Sequence, residues 1–407
     1  MSHRFVASRL YLPCLLLFLT FSGAPQSAPA AVSSAAPQNS SAEAPNAPSI
    51  AARNWLLVDL TSGQSLAGED ANARVEPASL TKLMTEYLVL EALRDKRLTL
   101  DQQVPVPVDL YKRVNQHEES VMFIPPGKSA SVSDLLHGLI IQSGNDAALV
   151  LAEAVAGTEA SFVDRMNSEA KRMGMTGTHY KNAAGLTDPD HYTTPADLAI
   201  LVRHLIQDFP QYYKLYAEKE FTYNGIRQLN RNLLLWRDPS VDGVKTGHTA
   251  AAGYCLISSA HRPMTGGADR RLLAVVLGAK SSIGRAQESL KLLNWGFQNF
   301  DDVQLYAANQ VIATPPIWKG KIPAVKVGFL QPVYVTVPRG QGGEVKSVLD
   351  NRDPLLAPVA QGDRVGTLKV SLEGRDIGDF PVLALEAVQP ASLLGRWWDS
   401  LRLMVKK

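Results

Sequence analysis

Ser79-Leu80-Thr81-Lys82, Ser143-Gly144-Asn145 and Lys245-Thr246-Gly247 place a hydroxyl, two amines and a polar relay in one chain of 407 residues. Those groups suit covalent acyl transfer through a serine ester. A serine hydroxyl attacks a carbonyl only when something takes its proton, and a lysine one helical turn further on projects from the same face. Lys82 is therefore the candidate base for Ser79. To act as a base it must be neutral part of the time, so burial and a second cation, for which Lys245 is the candidate, are expected to lower its pKa.

The elements that must hold these groups follow from the pattern around them. Pro77 marks a helix start, and Leu80, Leu83, Met84, Leu88 and Leu90 follow at spacing that buries one side of a helix. Ser79 then falls in the first turn, where free N–H groups and the helix dipole favour developing negative charge. Leu135, Leu136, Leu139 and Ile140 precede Ser143, and Ala147 to Ala156 follow it. Ser143 is thus expected at a junction between helices, with Gly144 allowing an unusual backbone angle. Trp55 to Asp59, a turn near Ser62-Gly63 and a return through Leu66 predict a first strand pair. Val241 to Val244, Tyr254 to Ser258 and Leu272 to Leu277 predict neighbouring strands, with a surface hairpin over His261 to Arg271. Gly247 is expected to leave room for an extended peptide to approach the strand.

Ser-x-x-Lys on its own is a weak signal, expected about once by chance in a chain of this length. Ser168-Glu169-Ala170-Lys171 repeats it within a polar helix expected around Phe162 to Met175, and it is assigned no role. The three patterns in this order are a much stronger signature than any one alone. His117, His137, His179, His191, His204 and His261 show no metal-ligand spacing, and no glycine-rich phosphate loop follows a strand. No metal or cofactor is expected. Asp146 reads as a helix-start or loop residue, Asp242 as a residue fixing the start of its strand, and Asn182, Gly185 and Leu186 as cleft wall.

Pro77-Ala78-Ser79-Leu80-Thr81-Lys82-Leu83-Met84-Thr85, Ser143-Gly144-Asn145-Asp146-Ala147-Ala148 and Asp242-Gly243-Val244-Lys245-Thr246-Gly247-His248-Thr249 resemble the three active-site motifs of a known family. This is the family of low-molecular-mass penicillin-binding proteins, serine D-alanyl-D-alanine carboxypeptidases with an added C-terminal β domain and a membrane tether. His179-Tyr180-Lys181-Asn182 through Gly185-Leu186, Tyr192-Thr193-Thr194 with Asp197, and Asn230-Arg231-Asn232 extend the likeness, which runs from about residue 50 to the last residue. Thr193 replaces a common serine, and Ala250 and Ala251 stand where polar residues are common.

The resemblance implies a transpeptidase/β-lactamase-like α/β catalytic domain, an antiparallel sheet with a helical subdomain, that removes the terminal D-alanine from peptidoglycan pentapeptides. In that scheme Ser79 is the nucleophile and Lys82 its base. Ser143 connects the lysines, and Asn145 bonds the substrate amide and holds Lys82. Lys245 and Thr246 meet the substrate carboxylate, and the backbone N–H groups of Ser79 and His248 form the oxyanion hole. β-Lactams are expected as covalent inhibitors. Arg231 and Arg285 match family arginines near the carboxylate region; the plain alternative for each is a structural ion pair. A β-lactamase or D,D-endopeptidase of the same fold is the neighbouring enzyme reading. Glu220 and Asn224 carry the one Glu-x-x-x-Asn spacing between Ser143 and Lys245 that a deacylating β-lactamase class shows. An inactive wall-binding protein is the nonenzymatic alternative.

The flanks say where this chemistry happens. Arg4 and Arg9 precede an apolar run from Leu10 to Phe21 that is too short for a comfortable membrane span, with small residues around Ala24 and Ala30 after it. Residues 1–30 read as a signal peptide and 31–50, rich in Ala, Pro, Ser and Asn, as a flexible leader. Removal of Cys14 leaves Cys255 alone, so no internal disulfide is expected. The catalytic domain is assigned to 51–300. Short β-prone stretches separated by Gly, Pro and Asp then predict a small all-β antiparallel sandwich over 301–389, a spacer or protein-contact module. Leu393, Leu394, Trp397, Trp398, Leu401, Met404 and Val405 recur three or four apart among Arg396, Asp399, Arg402, Lys406 and Lys407. Residues 390–407 are thus expected to lie as an amphipathic helix in the outer leaflet of the cytoplasmic membrane. The chain is expected at the periplasmic face of a bacterial inner membrane, and its formal net charge of +2 gives no reason to propose nucleic acid binding.

Overall fold

The computed structural model describes residues 45–114, 119–264 and 268–405. The signal peptide, leader residues 31–44, His117, the Gly266-Gly267 turn and the last two lysines lie outside the described residues. Ile50 is already buried, and the Ser49 carbonyl accepts a bond from Lys291 at 2.9 Å.

Five antiparallel strands form the central sheet. They are β1 (Asn54–Asp59), β2 (Ser65–Glu69), β3 (Val241–Thr249), β4 (Gly253–Pro263) and β5 (Asp269–Ala279), in the order β2-β1-β5-β4-β3. Leu57, Leu272, Leu273, Ala274, Val275 and Val276 are fully buried, because the sheet is covered on both faces and every side chain of β5's middle meets a core. One face packs on a helix of residues Ser282–Asn299, through Ala286, Leu292 and Leu293. The other faces a helical block whose centre is α1 (Lys82–Arg94), with α2 (Asn145–Ala156), α3 (Glu159–Met173) and α4 (Pro195–Asp208) around it. Ten of the thirteen residues of α1 are buried, so this helix is enclosed rather than one-sided. Thr194 caps α4 by accepting from Asp197 N at 3.1 Å, which gives the Thr-x-x-Asp run a structural purpose. Ser168 sits exposed on α3 with its hydroxyl bonded to the Asp164 carbonyl, remote from the cleft.

The C-terminal region is β-rich, as its sequence texture predicts. A pair of strands, Phe300–Tyr306 with Val333–Pro338, and a five-stranded sheet built from Val311–Ala313, Val327–Gly328, Arg375–Ala384, Arg364–Leu372 and Val345–Asn351 share one apolar core. The expectation of a wholly antiparallel arrangement needs one correction: Ile317–Trp318 and Leu355–Leu356 pair in parallel. They come from loops far apart in sequence, and a long crossover is what parallel pairing requires.

The two regions meet at a buried charge cluster. Arg270 Nε bonds Asp59 Oδ2 at 2.7 Å and Asp302 Oδ1 at 3.2 Å, while its Nη1 donates to the Phe300 carbonyl at 2.7 Å. Thr336 Oγ1 donates to Asp302 at 2.8 Å and contacts Ser62 Oγ at 2.6 Å. Burial, followed by repulsion from Asp59, pushes the Asp302 carboxyl up to about 8. The folded chain therefore holds a proton that the unfolded chain loses above the ordinary carboxylate range, so this group's contribution to stability falls as pH rises from about 4 to about 8. Asp302→Asn should flatten that decline: melting temperatures measured from pH 5 to pH 8 will drop less in the variant than in the native chain. An equally steep drop in both would remove Asp302 as its source.

Candidate active site

Ser79 lies in a 3₁₀ turn, Ala78–Thr81, that leads into α1 at Lys82. The expected α-helical first turn is thus replaced by a tighter one. Ala78 has φ +49°, a left-handed backbone angle that strains a residue with a Cβ. Gly185 braces this turn. It has φ +90°, and a methyl group there would fall 1.8 Å from the Ala78 carbonyl oxygen and 3.0 Å from Ser79 N. No other residue fits that position. On the strand side, a Cβ at Gly247 would stand 3.2 Å from the Pro77 carbonyl oxygen and 3.3 Å from Ala78 Cβ. The missing side chain at Gly247 is therefore needed for the close approach of the turn that carries Ser79, while Gly247 also lines the open cleft.

Lys82 is 1% exposed, and its Nζ lies 3.0 Å from Ser79 Oγ and donates to the Ala184 carbonyl at 2.6 Å. Burial lowers its pKa to about 7; Arg231 lowers it further, while Glu119 and Asp146 oppose. Arg231 is thus a further cation acting on Lys82 beside Lys245, the one the sequence reading named. The two lysines repel each other, and the Lys245 pKa is pushed well below the usual value by burial, then by Lys82, Arg231 and Arg285.

Ser143 follows a widened helical turn, Gly138–Gln142, and itself takes the left-handed conformation, φ 64° and ψ 35°. Gly144 has an ordinary φ of −60°. The expected division of labour is reversed: glycine is needed at 144 for space, since a Cβ there would meet Asp146 Oδ1 at 2.7 Å. The Asp146 carboxylate in turn accepts from Met122 N at 2.9 Å, Ala147 N at 2.9 Å and Ile124 N at 3.3 Å. It thereby fixes the segment that brings Glu119 and Ser120 to the cleft. Asn145 Nδ2 donates to Glu119 Oε2 at 2.5 Å. Among the described residues, Asn145 Oδ1 and Ser143 Oγ are buried without a hydrogen-bond partner. Lys82 is therefore held by Ala184 rather than by Asn145, and Ser143 does not bridge the lysines in the free enzyme.

Lys245, Thr246, Gly247 and His248 lie on β3, the edge strand of the sheet, paired to β4 through Ile257, Leu256, Cys255 and Tyr254. Cys255 is a free, buried thiol. Asn232 donates to the Gly243 carbonyl at 2.9 Å, which ties the Asn230-Arg231-Asn232 run to this strand. Asp242 accepts from Arg271 Nη1 at 2.7 Å and so anchors the strand's beginning. Arg285 is only 6% exposed; its Nη1 donates to the carbonyls of Gly247 at 3.0 Å and Cys255 at 3.3 Å. It clamps β3 to β4 through backbone, a third outcome beside the carboxylate contact and the ion pair. Burial lowers its pKa to about 10. Arg231 donates to Ser120 Oγ at 2.6 Å.

A cleft of about 740 Å³ runs along this edge, lined by Ser79, Ser143, Asn145, Arg231, Thr246, Gly247, His248 and Arg285, with Glu119, Ser120, Leu186 and Ala250 beside them. Sequence reasoning missed Glu119, whose run of Glu118-Glu119-Ser120 reads as a solvated loop, and it missed the Ala184 carbonyl, which no side-chain pattern can reveal. Glu220 is exposed on a two-stranded ribbon, paired with Arg227, and Asn224 occupies its turn at φ +50°. Neither lies in the cleft, so the β-lactamase spacing has no catalytic geometry.

A serine beside a buried lysine of lowered pKa, a second buried lysine on an open strand edge and a Ser-Gly-Asn corner between them define a serine acyl-transfer enzyme. The sequence matches the family of D-alanyl-D-alanine carboxypeptidases over residues 40–281, and the C-terminal domain of penicillin-binding protein 5 over residues 300–390. It is 43% identical to D-alanyl-D-alanine carboxypeptidase DacC of Escherichia coli (strain K12), across 87% of this chain and 88% of that protein. It is 39% identical to D-alanyl-D-alanine carboxypeptidase DacA of Haemophilus influenzae, across 88% and 91%. The structure of penicillin binding protein 5 from Haemophilus influenzae superposes with a TM-score of 0.78 at 38% identity, covering 84% of this chain and 99% of that one. The chain belongs to the D-alanyl-D-alanine carboxypeptidase family, the low-molecular-mass penicillin-binding proteins, and is a serine D,D-carboxypeptidase of peptidoglycan stem peptides.

Because Lys82 must be neutral to accept a proton, acylation should rise with pH through about 7 and level off above it. Arg231→Gln removes a cation that favours the neutral amine, so the midpoint should move upward by up to about one unit. Stopped-flow acylation by a fluorescent penicillin from pH 5 to pH 9 measures it; an unchanged or lowered midpoint would contradict the assignment.

Proposed function

We propose that Ser79 attacks the carbonyl between the two terminal D-alanines of a stem peptide, with neutral Lys82 as its base. The observation that carries this reading is the 3.0 Å separation of Lys82 Nζ and Ser79 Oγ, together with burial that brings the amine to about 7. The serine proton passes to Lys82 as the O–C bond forms. The tetrahedral oxyanion is received by the backbone N–H groups of Ser79 and His248, an arrangement commonly worth about 3 kcal/mol per donor. Ser143, whose hydroxyl has no partner among the described residues, relays the proton from Lys82 to the departing D-alanine amine as the C–N bond breaks. Water then hydrolyses the acyl-enzyme. Asn145 bonds the substrate amide, for which Glu119 must yield its place. Lys245 and Thr246 meet the terminal carboxylate, and Arg231 adds long-range attraction from the cleft wall. Arg285 supports that subsite chiefly by fixing β3. β-Lactams acylate the same serine.

The native enzyme should release D-alanine from a synthetic peptide ending in D-Ala-D-Ala and carry a penicillin adduct on Ser79, while Ser79→Ala does neither. A mass-mapped adduct on another serine of an active preparation would overturn the scheme.

The domain assignment follows the same reading: 51–300 catalytic, 301–389 a spacer, and 390–407 a membrane tether that holds the enzyme at the periplasmic face of the inner membrane. The final helix, α5 in this account (Leu393–Val405), supports it. Leu393, Leu394, Trp397, Trp398 and Met404 are 60–82% exposed, whereas Asp399 accepts from Lys319 N at 2.6 Å on the protein side. Among the described residues no helix is long and apolar enough to cross a membrane, so the helix would lie in the interface. Deleting residues 393–407 should abolish co-sedimentation with anionic phospholipid vesicles and leave D-alanine release unchanged. Undiminished sedimentation would reject the tether.

A further inference from the structure

The two N–H groups assigned to the oxyanion come from separate segments, Ser79 from the 3₁₀ turn and His248 from β3, so something must fix their spacing. One side-chain bond spans the gap. Thr249, the residue after His248, donates its hydroxyl to Glu76 Oε2 at 2.7 Å, and Glu76 stands just before the Pro77-Ala78-Ser79 turn. Among the described residues no other hydrogen bond joins the 76–81 segment to β3; the rest is packing, as where Gly247 meets Pro77 and Ala78. Each end of the bond is itself tied down. Val75 N donates to the Thr193 carbonyl at 2.8 Å, and Thr193 N to the Val75 carbonyl at 2.9 Å. On the other side Thr249 Oγ1 accepts from Ala252 N at 2.9 Å, and Arg53 donates to the Ala251 carbonyl at 2.7 Å, which holds the turn between β3 and β4. The Thr249 hydroxyl thus gives its one proton to Glu76 and a lone pair to its own hairpin, a short link between two restrained segments.

We propose that Glu76 is a positioning residue for the oxyanion hole: through Thr249 it sets the spacing of the Ser79 and His248 N–H groups. It touches no reacting atom. The proposal rests on the assignment of those two N–H groups to the tetrahedral oxygen.

The side chain acts as an acceptor and not as a charge. A negative group near a developing oxyanion opposes it, so charge does not explain the residue, whereas the oxygen that receives the Thr249 proton does. The other oxygen, Oε1, is buried without a partner among the described residues, so one oxygen carries the whole link. An amide in its place keeps an oxygen for Thr249; a methyl group keeps none. A donor displaced by about 1 Å from its productive place costs on the order of a hundredfold in rate. Loss of the link should therefore slow acylation by about tenfold to a hundredfold, while ground-state binding, made by Asn145, Lys245 and Thr246, stays near its native value.

The carbonyl of the acyl-enzyme reports on the hole directly. Infrared difference spectra between ordinary penicillin and penicillin labelled with carbon-13 at the β-lactam carbonyl isolate its ester band, and they read only molecules folded well enough to be acylated. In the native enzyme the band should lie below that of the same adduct after denaturation, because hydrogen bonds from the hole weaken the C=O bond. Glu76→Ala and Thr249→Val should each move it to higher wavenumber and slow acylation by the factor above, with non-covalent penicillin affinity unchanged. Glu76→Gln and Thr249→Ser should keep the native band and rate. The double variant Glu76→Ala/Thr249→Val should match either single one, since both remove the same bond. A native band that is lowered in the hole yet unmoved in Glu76→Ala and Thr249→Val overturns the proposal, as do shifts that add in the double variant or a Glu76→Gln enzyme as impaired as Glu76→Ala. A native band no lower than that of the denatured adduct would instead overturn the oxyanion-hole assignment itself, and the proposal with it.

Discussion

Putting two lysines and two arginines around one cleft, with both lysines nearly sealed from solvent, is the constraint on which this structure turns. Charged amines in such a place are unfavourable, and that brings the Lys82 pKa down to about 7, which suits the base proposed for it. Everything around it keeps the amine both dry and aimed. The amine donates to the Ala184 carbonyl on one side and to the Ser79 hydroxyl on the other, so Nζ is held 3.0 Å from the serine oxygen. Gly185 presses against the turn bearing Ser79, Gly247 lets β3 close in from the opposite side, and Ser79 is fixed between a loop and a strand.

The second support runs from helix to loop to cleft. Asp146, at the start of α2, spends its carboxylate on three backbone N–H groups, and the segment it restrains delivers Glu119 and Ser120 to Asn145 and Arg231. A residue with no part in bond making therefore decides where two contact residues stand. Asn232 and Arg285 do the same for β3, each bonding backbone rather than another side chain.

What the sequence revealed, and what it hid, divides along physical lines. Side-chain type and spacing expose Ser79 and Lys82, because an i, i+3 pair at a helix start is a local geometry. Alternating apolar runs likewise expose the β strands and the β-rich C-terminal region. Backbone conformation was harder: the pattern at Ser143-Gly144 suggested that glycine takes the unusual angle, yet Ser143 does, since crowding by Asp146 is a tertiary fact. Gly247 was read as space for a ligand, and the sequence did not show that it also makes space for the neighbouring turn. Long-range electrostatics were least legible. Arg231 joins in lowering the Lys82 pKa, and Glu86, one letter in an apolar helix, is sealed from solvent.

β3 remains an edge strand, with β4 on one side and the cleft on the other. Bare strand edges invite pairing with other chains and hence aggregation. Here the edge lies in a cleft lined also by the 184–186 loop and the Glu119-Ser120 segment, so its open hydrogen-bonding row is flanked by loops rather than laid bare, one of the ways in which β proteins shield an unpaired edge.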